Sequence, residues 1–86
     1  MGYTIAICDD DKAMADKLTV SLKNEFMKAG RNDVIIDYYD IGVQLLEALK
    51  NKMYKAVLLD INMEPMDGFA VAETIGKSGY RTKIIF

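Results

Sequence analysis

Apolar positions along this chain follow two different spacings. Tyr3 to Cys8 (YTIAIC) and Ala56 to Leu59 (AVLL) are short β-rich apolar runs, the kind that form strands buried on both faces. Met14, Leu18, Leu22 and Phe26 instead recur every four residues within 12–29, which predicts one stripe of an amphipathic helix. Asp11 stands at the N-cap position of that helix and Gly30 where it should stop. DVIIDYY (33–39) predicts a second strand, with Asp40 as the cap of a second helix from Ile41 to about Met53 carrying Ile41, Leu45, Ala48 and Leu49 at helical spacing. A third helix is expected from Asp67 to Lys77 with Phe69, Ala72 and Ile75 inward, ended by SGY (78–80). TKIIF (82–86) reads as a fourth strand.

The order is therefore βαβαβαβ with short connections. It predicts the α/β class: a parallel sheet with helices packed on it and right-handed crossovers. Functional residues in such sheets gather at the carboxyl ends of the strands. Both acidic endings fall there, Asp9-Asp10-Asp11 after the first strand and Asp60 after the third. If those strands are neighbours, their ends lie about 5 Å apart, and Asp9, Asp10 and Asp60 crowd one hollow. Two unit charges at 4 Å repel by about 4 kcal/mol at an effective dielectric of 20. Such a cluster takes up protons or holds a cation. Few oxygen ligands with room for water suit Mg²⁺ best. An Asp beside a bound cation at a solvent-open loop is also suited to accept a phosphoryl group. Set against this is the plainer reading of DDD as a loop followed by a helix cap.

Composition narrows the alternatives. Eighty-six residues, 51% hydrophobic and 28% charged, make one ordinary globular unit at most. A net charge of −2 and scattered Lys52, Lys55, Arg81 and Lys83 leave no basic stripe for nucleic acid or anionic lipid. The apolar runs are too short to span a bilayer, and the N-terminus lacks a secretory pattern. With no histidine and one cysteine, Cys8, zinc sites and His-based triads lack their residues. Cys8 reads as an inert small hydrophobe in a buried strand, and Met14, on the apolar stripe, as core. The expected compartment is the cytoplasm.

ICDDD after the first strand and LLDINMEPMDG after the third resemble the receiver domain of two-component response regulators, in order and spacing from Tyr3 onward. The LDI, MDG and IIF wording is similar to the branch carrying a LytTR-type DNA-binding output. The resemblance implies a flavodoxin-like, doubly wound parallel sheet with strand order 2-1-3-4 over the residues present. It implies Asp60 as phosphoacceptor from the phosphohistidine of a sensor histidine kinase. Asp10 would be a direct Mg²⁺ ligand, Asp9 would act mainly through a metal-bound water, and Asn62 would offer its backbone carbonyl. Met63 would pack under the loop, and Gly68 would take a backbone angle that other residues resist.

Two departures from the family follow. Its usual proline four residues after the acceptor is Glu64 here, with Pro65 next; Glu64 is a candidate to reach a metal-bound water. Receivers also run to about 120 residues. Residues 1–86 thus read as the N-terminal part of a single receiver, with the fourth helix, fifth strand, fifth helix and output domain missing. The family's phosphate-contacting Thr or Ser and Lys are missing with them. The expectation is weak Mg²⁺ binding, poor phosphorylation and self-association through an exposed fourth-strand edge. DNA would be reached only through the absent output domain. The rivals are a haloacid-dehalogenase-type aspartyl phosphotransferase, which wants an Asp where Asn62 stands, and a flavodoxin-like FMN carrier, whose phosphate DDD would repel. A receiver-like interaction module that is never phosphorylated is the third.

Overall fold

Seven elements emerge in the computed structural model, which describes residues 3–86. They are β1 (Tyr3–Cys8), α1 (Lys12–Lys28), β2 (Val34–Tyr39), α2 (Gly42–Leu49), β3 (Ala56–Leu59), α3 (Gly68–Lys77) and β4 (Lys83–Ile85). All neighbouring strands are parallel, in the order β2-β1-β3-β4. The chain steps one way from β1 to β2 and the other way to β3 and β4. Right-handed crossovers then put α1 on one face and α2 with α3 on the other. This is the parallel α/β sheet that the alternating pattern implied, in the doubly wound strand order that the family resemblance implied.

Local chemistry sets most of the boundaries. The Asp11 carboxylate accepts the Met14 N–H at 3.1 Å and starts α1. At the other end Gly30, at φ +80°, donates to the Met27 carbonyl at 2.9 Å, and Arg31 donates to Phe26 at 2.8 Å. These are the two bonds of a Schellman ending, which needs a left-handed residue where glycine is least strained. Asp67 starts α3 in the same way by accepting the Ala70 N–H at 2.9 Å.

The second helix departs from expectation at both ends. Its N-cap is Ile41, in extended conformation and without a side-chain cap, so Asp40 falls one residue short of that role. It stops at Leu49 rather than near Met53. The next apolar residue to enter the core is Tyr54, which is fully buried, while Met53 stands in solvent. The chain must unwind over 50–53 to bring Tyr54 inward.

The core lies mainly between the sheet and α2–α3. Ala6 and Cys8 of β1 and Val57 and Leu59 of β3 meet Leu45, Leu49, Tyr54, Met63, Val71 and Ile75 there. On the opposite face Ala15 is the one fully buried residue of α1, flanked by half-buried Leu18, Leu22 and Phe26. Met14 is exposed, because it lies about 100° round the helix from Ala15, off the centre of the stripe. Phe69 is exposed too: Gly68, Val71 and Ile75 form the buried side of α3, and Phe69 turns away to stack on Phe86 with centroids 5.2 Å apart. Among the described residues no helix is long and apolar enough to cross a membrane.

Candidate functional site

The acidic endings of β1 and β3 meet because the two strands are paired, Cys8 opposite Leu59. The Asp60 N–H donates to the Cys8 carbonyl at 3.0 Å, extending the ladder one step past both strands. Asp9 is tied the same way to β2 through its own N–H and the Tyr39 carbonyl, at 3.0 Å. One carboxylate oxygen from each of Asp9, Asp10 and Asp60 lies within 4.8 Å of the others. Asp9 is buried, Asp60 half-buried and Asp10 exposed, so the cup is anchored on one side and open on the other.

Asn62 lines the same cleft, of about 310 Å³, as Asp9 and Asp60, with Ile7, Leu18 and Leu58 from the α1 face. Its backbone N–H points back to the Asp60 carboxylate at 3.4 Å. Glu64 is exposed and is not a member of the carboxylate cluster.

Among the described residues, none of the ion pairs involves Asp9, Asp10 or Asp60. Burial holds the Asp9 carboxyl above the ordinary aspartate value, the Asp11 N–H at 2.8 Å offsets part of this, and Asp60, Asp10 and Asp11 push it further up. Burial, then Asp9, Asp40, Asp60 and Asp10, drive the Cys8 thiol up to about 12. With its sulfur 3.7 Å from the Met63 thioether, Cys8 is packing material and not a nucleophile. Three carboxylate oxygens, close together, partly open to solvent and in no ion pair among the described residues, form a donor set that fits a hard divalent ion.

The loop from Asp60 to α3 is closed on itself. Gly68 donates to the Ile61 carbonyl at 2.9 Å, and buried Met63 anchors the middle. Gly68 is required here for a reason other than the one expected. Its φ is not positive; instead, a Cβ at this position would overlap the Asp60 carbonyl oxygen and stand 2.9 Å from both the Asp60 carbonyl carbon and the Ile61 Cα. The absent side chain lets the start of α3 press against the backbone of Asp60.

Tyr38 also belongs to the site, although the strand pattern gave it no functional signal. Its hydroxyl donates to the Asp9 backbone carbonyl at 2.8 Å. Tyr39, the next residue, packs against the core on the other face, as alternation along a strand requires.

A doubly wound parallel sheet with a carboxylate cup where strand order reverses belongs to the class of open α/β domains whose ligand crevice lies at that switch point. Comparison with known proteins narrows the class: residues 5–86 match the model of the response regulator receiver domain, and the chain belongs to that family. It is 28% identical over 81 residues to the cell cycle response regulator CtrA of Brucella ovis, covering 94% of this chain and 32% of that protein. The chain thus spans about a third of the length of the curated relatives it matches. Its fold is similar to the signal receiver domain of NarL from Mycobacterium tuberculosis, with a TM-score of 0.74 at 22% identity, over 96% of this chain and 63% of that one. An uncharacterized protein from Neptuniibacter caesariensis is also similar, with a TM-score of 0.69 at 30% identity, over 90% of this chain and 52% of that one.

Proposed function

We propose that Asp60 accepts a phosphoryl group from the phosphohistidine of a sensor kinase, with Mg²⁺ held by the surrounding acids. The observation that carries this reading is the meeting of Asp9, Asp10 and Asp60 in one uncompensated cup. Asp10, the most exposed of the three, and Asp60 would ligate the ion directly. Asp9, whose Oδ1 is engaged by Asp11, would act mainly through a water, and Asn62 would lend its backbone carbonyl. The ion would neutralise the cup and the incoming phosphoryl oxygens, a task these acids cannot perform alone.

An Asp60 carboxylate oxygen attacks phosphorus, an O–P bond forms as the P–N bond breaks, and the departing imidazole keeps the electron pair and is free to take a proton. The ladder bond from the Asp60 N–H and the pressure of Gly68 fix where that carboxylate starts. One phosphoryl group is taken per chain, as in a signalling acceptor, and the receiver then controls an output in the cytoplasm, in our reading a transcriptional one of LytTR type. Residues 5–86 supply the acidic cup and four parallel strands of that receiver. The outer edge of β4, with exposed Ile85 and Phe86 beside it, is the surface through which this 86-residue polypeptide associates with itself.

The test is a Mg²⁺ titration followed by amide NMR. Saturable shifts at residues 9–11 and 60–62 are expected in the wild type and should vanish in Asp9→Asn/Asp10→Asn. Wild-type spectra that do not respond to millimolar Mg²⁺ would defeat the reading. Incubated with a phosphorylated sensor kinase, the wild type should take up label at Asp60 and Asp60→Asn should not.

A further inference from the structure

Tyr38 lies on the edge strand β2, opposite Ile7 of β1 and on the α1 face of the sheet. Its phenol reaches past the end of the ladder to the Asp9 carbonyl, 2.8 Å away. That carbonyl belongs to the peptide joining Asp9 to Asp10, two of the three carboxylate-bearing residues of the cup. Among the described residues no backbone N–H reaches it. The chain beyond Tyr39 turns off toward α2, so β2 offers no further rung, and the Tyr38 side chain supplies one instead. The ring is held by β2 below and by the Lys12 ammonium 5.4 Å from its centroid.

We propose that Tyr38 is a positioning residue for the cation site: its hydroxyl fixes the plane of the Asp9–Asp10 peptide and so the direction in which both carboxylates leave the backbone. This rests on the reading of the cup as a Mg²⁺ site. Asp9 is then held at three points: its N–H by the Tyr39 carbonyl, its carbonyl by Tyr38, and its Oδ1 by the Asp11 N–H. Asp10 has no bond of its own to hold it among the described residues. Its placement therefore depends on the peptide that precedes it.

A neighbouring hydroxyl provides the control. Tyr39 sits on the same strand, but its hydroxyl bonds to that of Tyr54 and touches neither acid. Mg²⁺ dissociation constants are measured by NMR titration on the wild type, Tyr38→Phe and Tyr39→Phe, each with a thermal melt. The proposal expects Tyr38→Phe to weaken Mg²⁺ binding about fivefold, the scale of one lost hydrogen bond. Its melting temperature should fall by no more than a few degrees, the scale of one part-buried hydrogen bond. Tyr39→Phe should lower the melting temperature and leave the dissociation constant within about twofold, below the scale of that lost bond. The proposal is overturned if Tyr38→Phe binds as the wild type does, or if both variants weaken binding equally. It is also overturned if Tyr38→Phe unfolds the chain, which would make the hydroxyl a purely structural element. A wild type that does not bind Mg²⁺ defeats the site reading itself, whereas normal wild-type binding with an unaffected Tyr38→Phe defeats only the role of Tyr38.

Discussion

Asp9 and Asp37 are two aspartates of one small sheet, and the chain treats them oppositely. Asp37, on β2, receives the Tyr54 hydroxyl and the Lys52 ammonium, the latter at 3.1 Å. Burial pushes its pKa up, but Tyr54 and Lys52 outweigh burial and hold the carboxyl below its usual value. Asp9, at the end of β1, is more deeply buried, meets further carboxylates instead of cations, and sits above its usual value. One carboxylate finds its partners within the polypeptide. The other meets no cationic partner among the described residues, which is what the proposed cation site requires.

The sharpest way to break the comparison is to strip Asp37 of what Asp9 lacks. Tyr54→Phe removes a hydroxyl shared with Asp37 and Tyr39 in the core. It should cost about 1–3 kcal/mol, because the partners left behind are partly buried. In a chain of this size that lowers the melting temperature by roughly 4–8 °C per kcal/mol.

A smaller effect of opposite sign is expected at the cup. Asp9→Asn keeps an acceptor for the Asp11 N–H while removing one of the crowded charges. Without divalent ions it should raise the melting temperature by a few degrees at neutral pH, and it should abolish any further rise on adding Mg²⁺.

The smallest effect is the acid limb. Because the folded-state pKa of Asp37 is lowered, its contribution is fully present above the unfolded value near 4 and is lost as pH falls through the folded value. Thermal melts between pH 5 and 2 should therefore decline less steeply in Asp37→Asn than in the wild type.

Much of this was legible in the sequence, for physical reasons that can be named. Strand-ending acids and βαβ order depend on local spacing, so Asp9, Asp10 and Asp60 stood out in the sequence, while the pairing of the first strand with the third that brings them together came from the family resemblance. Helix starts at Asp11 and Asp67 depend on bonds three residues long and were equally visible. Asp40 misled because a capping residue one position early is still a plausible cap in sequence, and Ile41 took the place. Met14 and Phe69 misled because a spacing of four residues, or of three in the third helix, defines a stripe but not its centre, which Ala15 and Val71 mark. Tyr38, Tyr54 and Gly68 act on groups 29, 17 and 8 residues away, and no local pattern announces those partners.

Gly68 has one more consequence. Because it and Ile61 clasp each other at the neck of the loop, the segment between them hangs from a fixed base, with buried Met63 and half-buried Met66 as its internal anchors. Glu64 and Pro65, both exposed, should be exchangeable there without disturbing the carboxylate that precedes the neck or the helix that follows it, whereas Met66 packs against the core. The Glu-Pro order at 64–65 is such an exchange: a variation in ornament on a hinge pin that stays put.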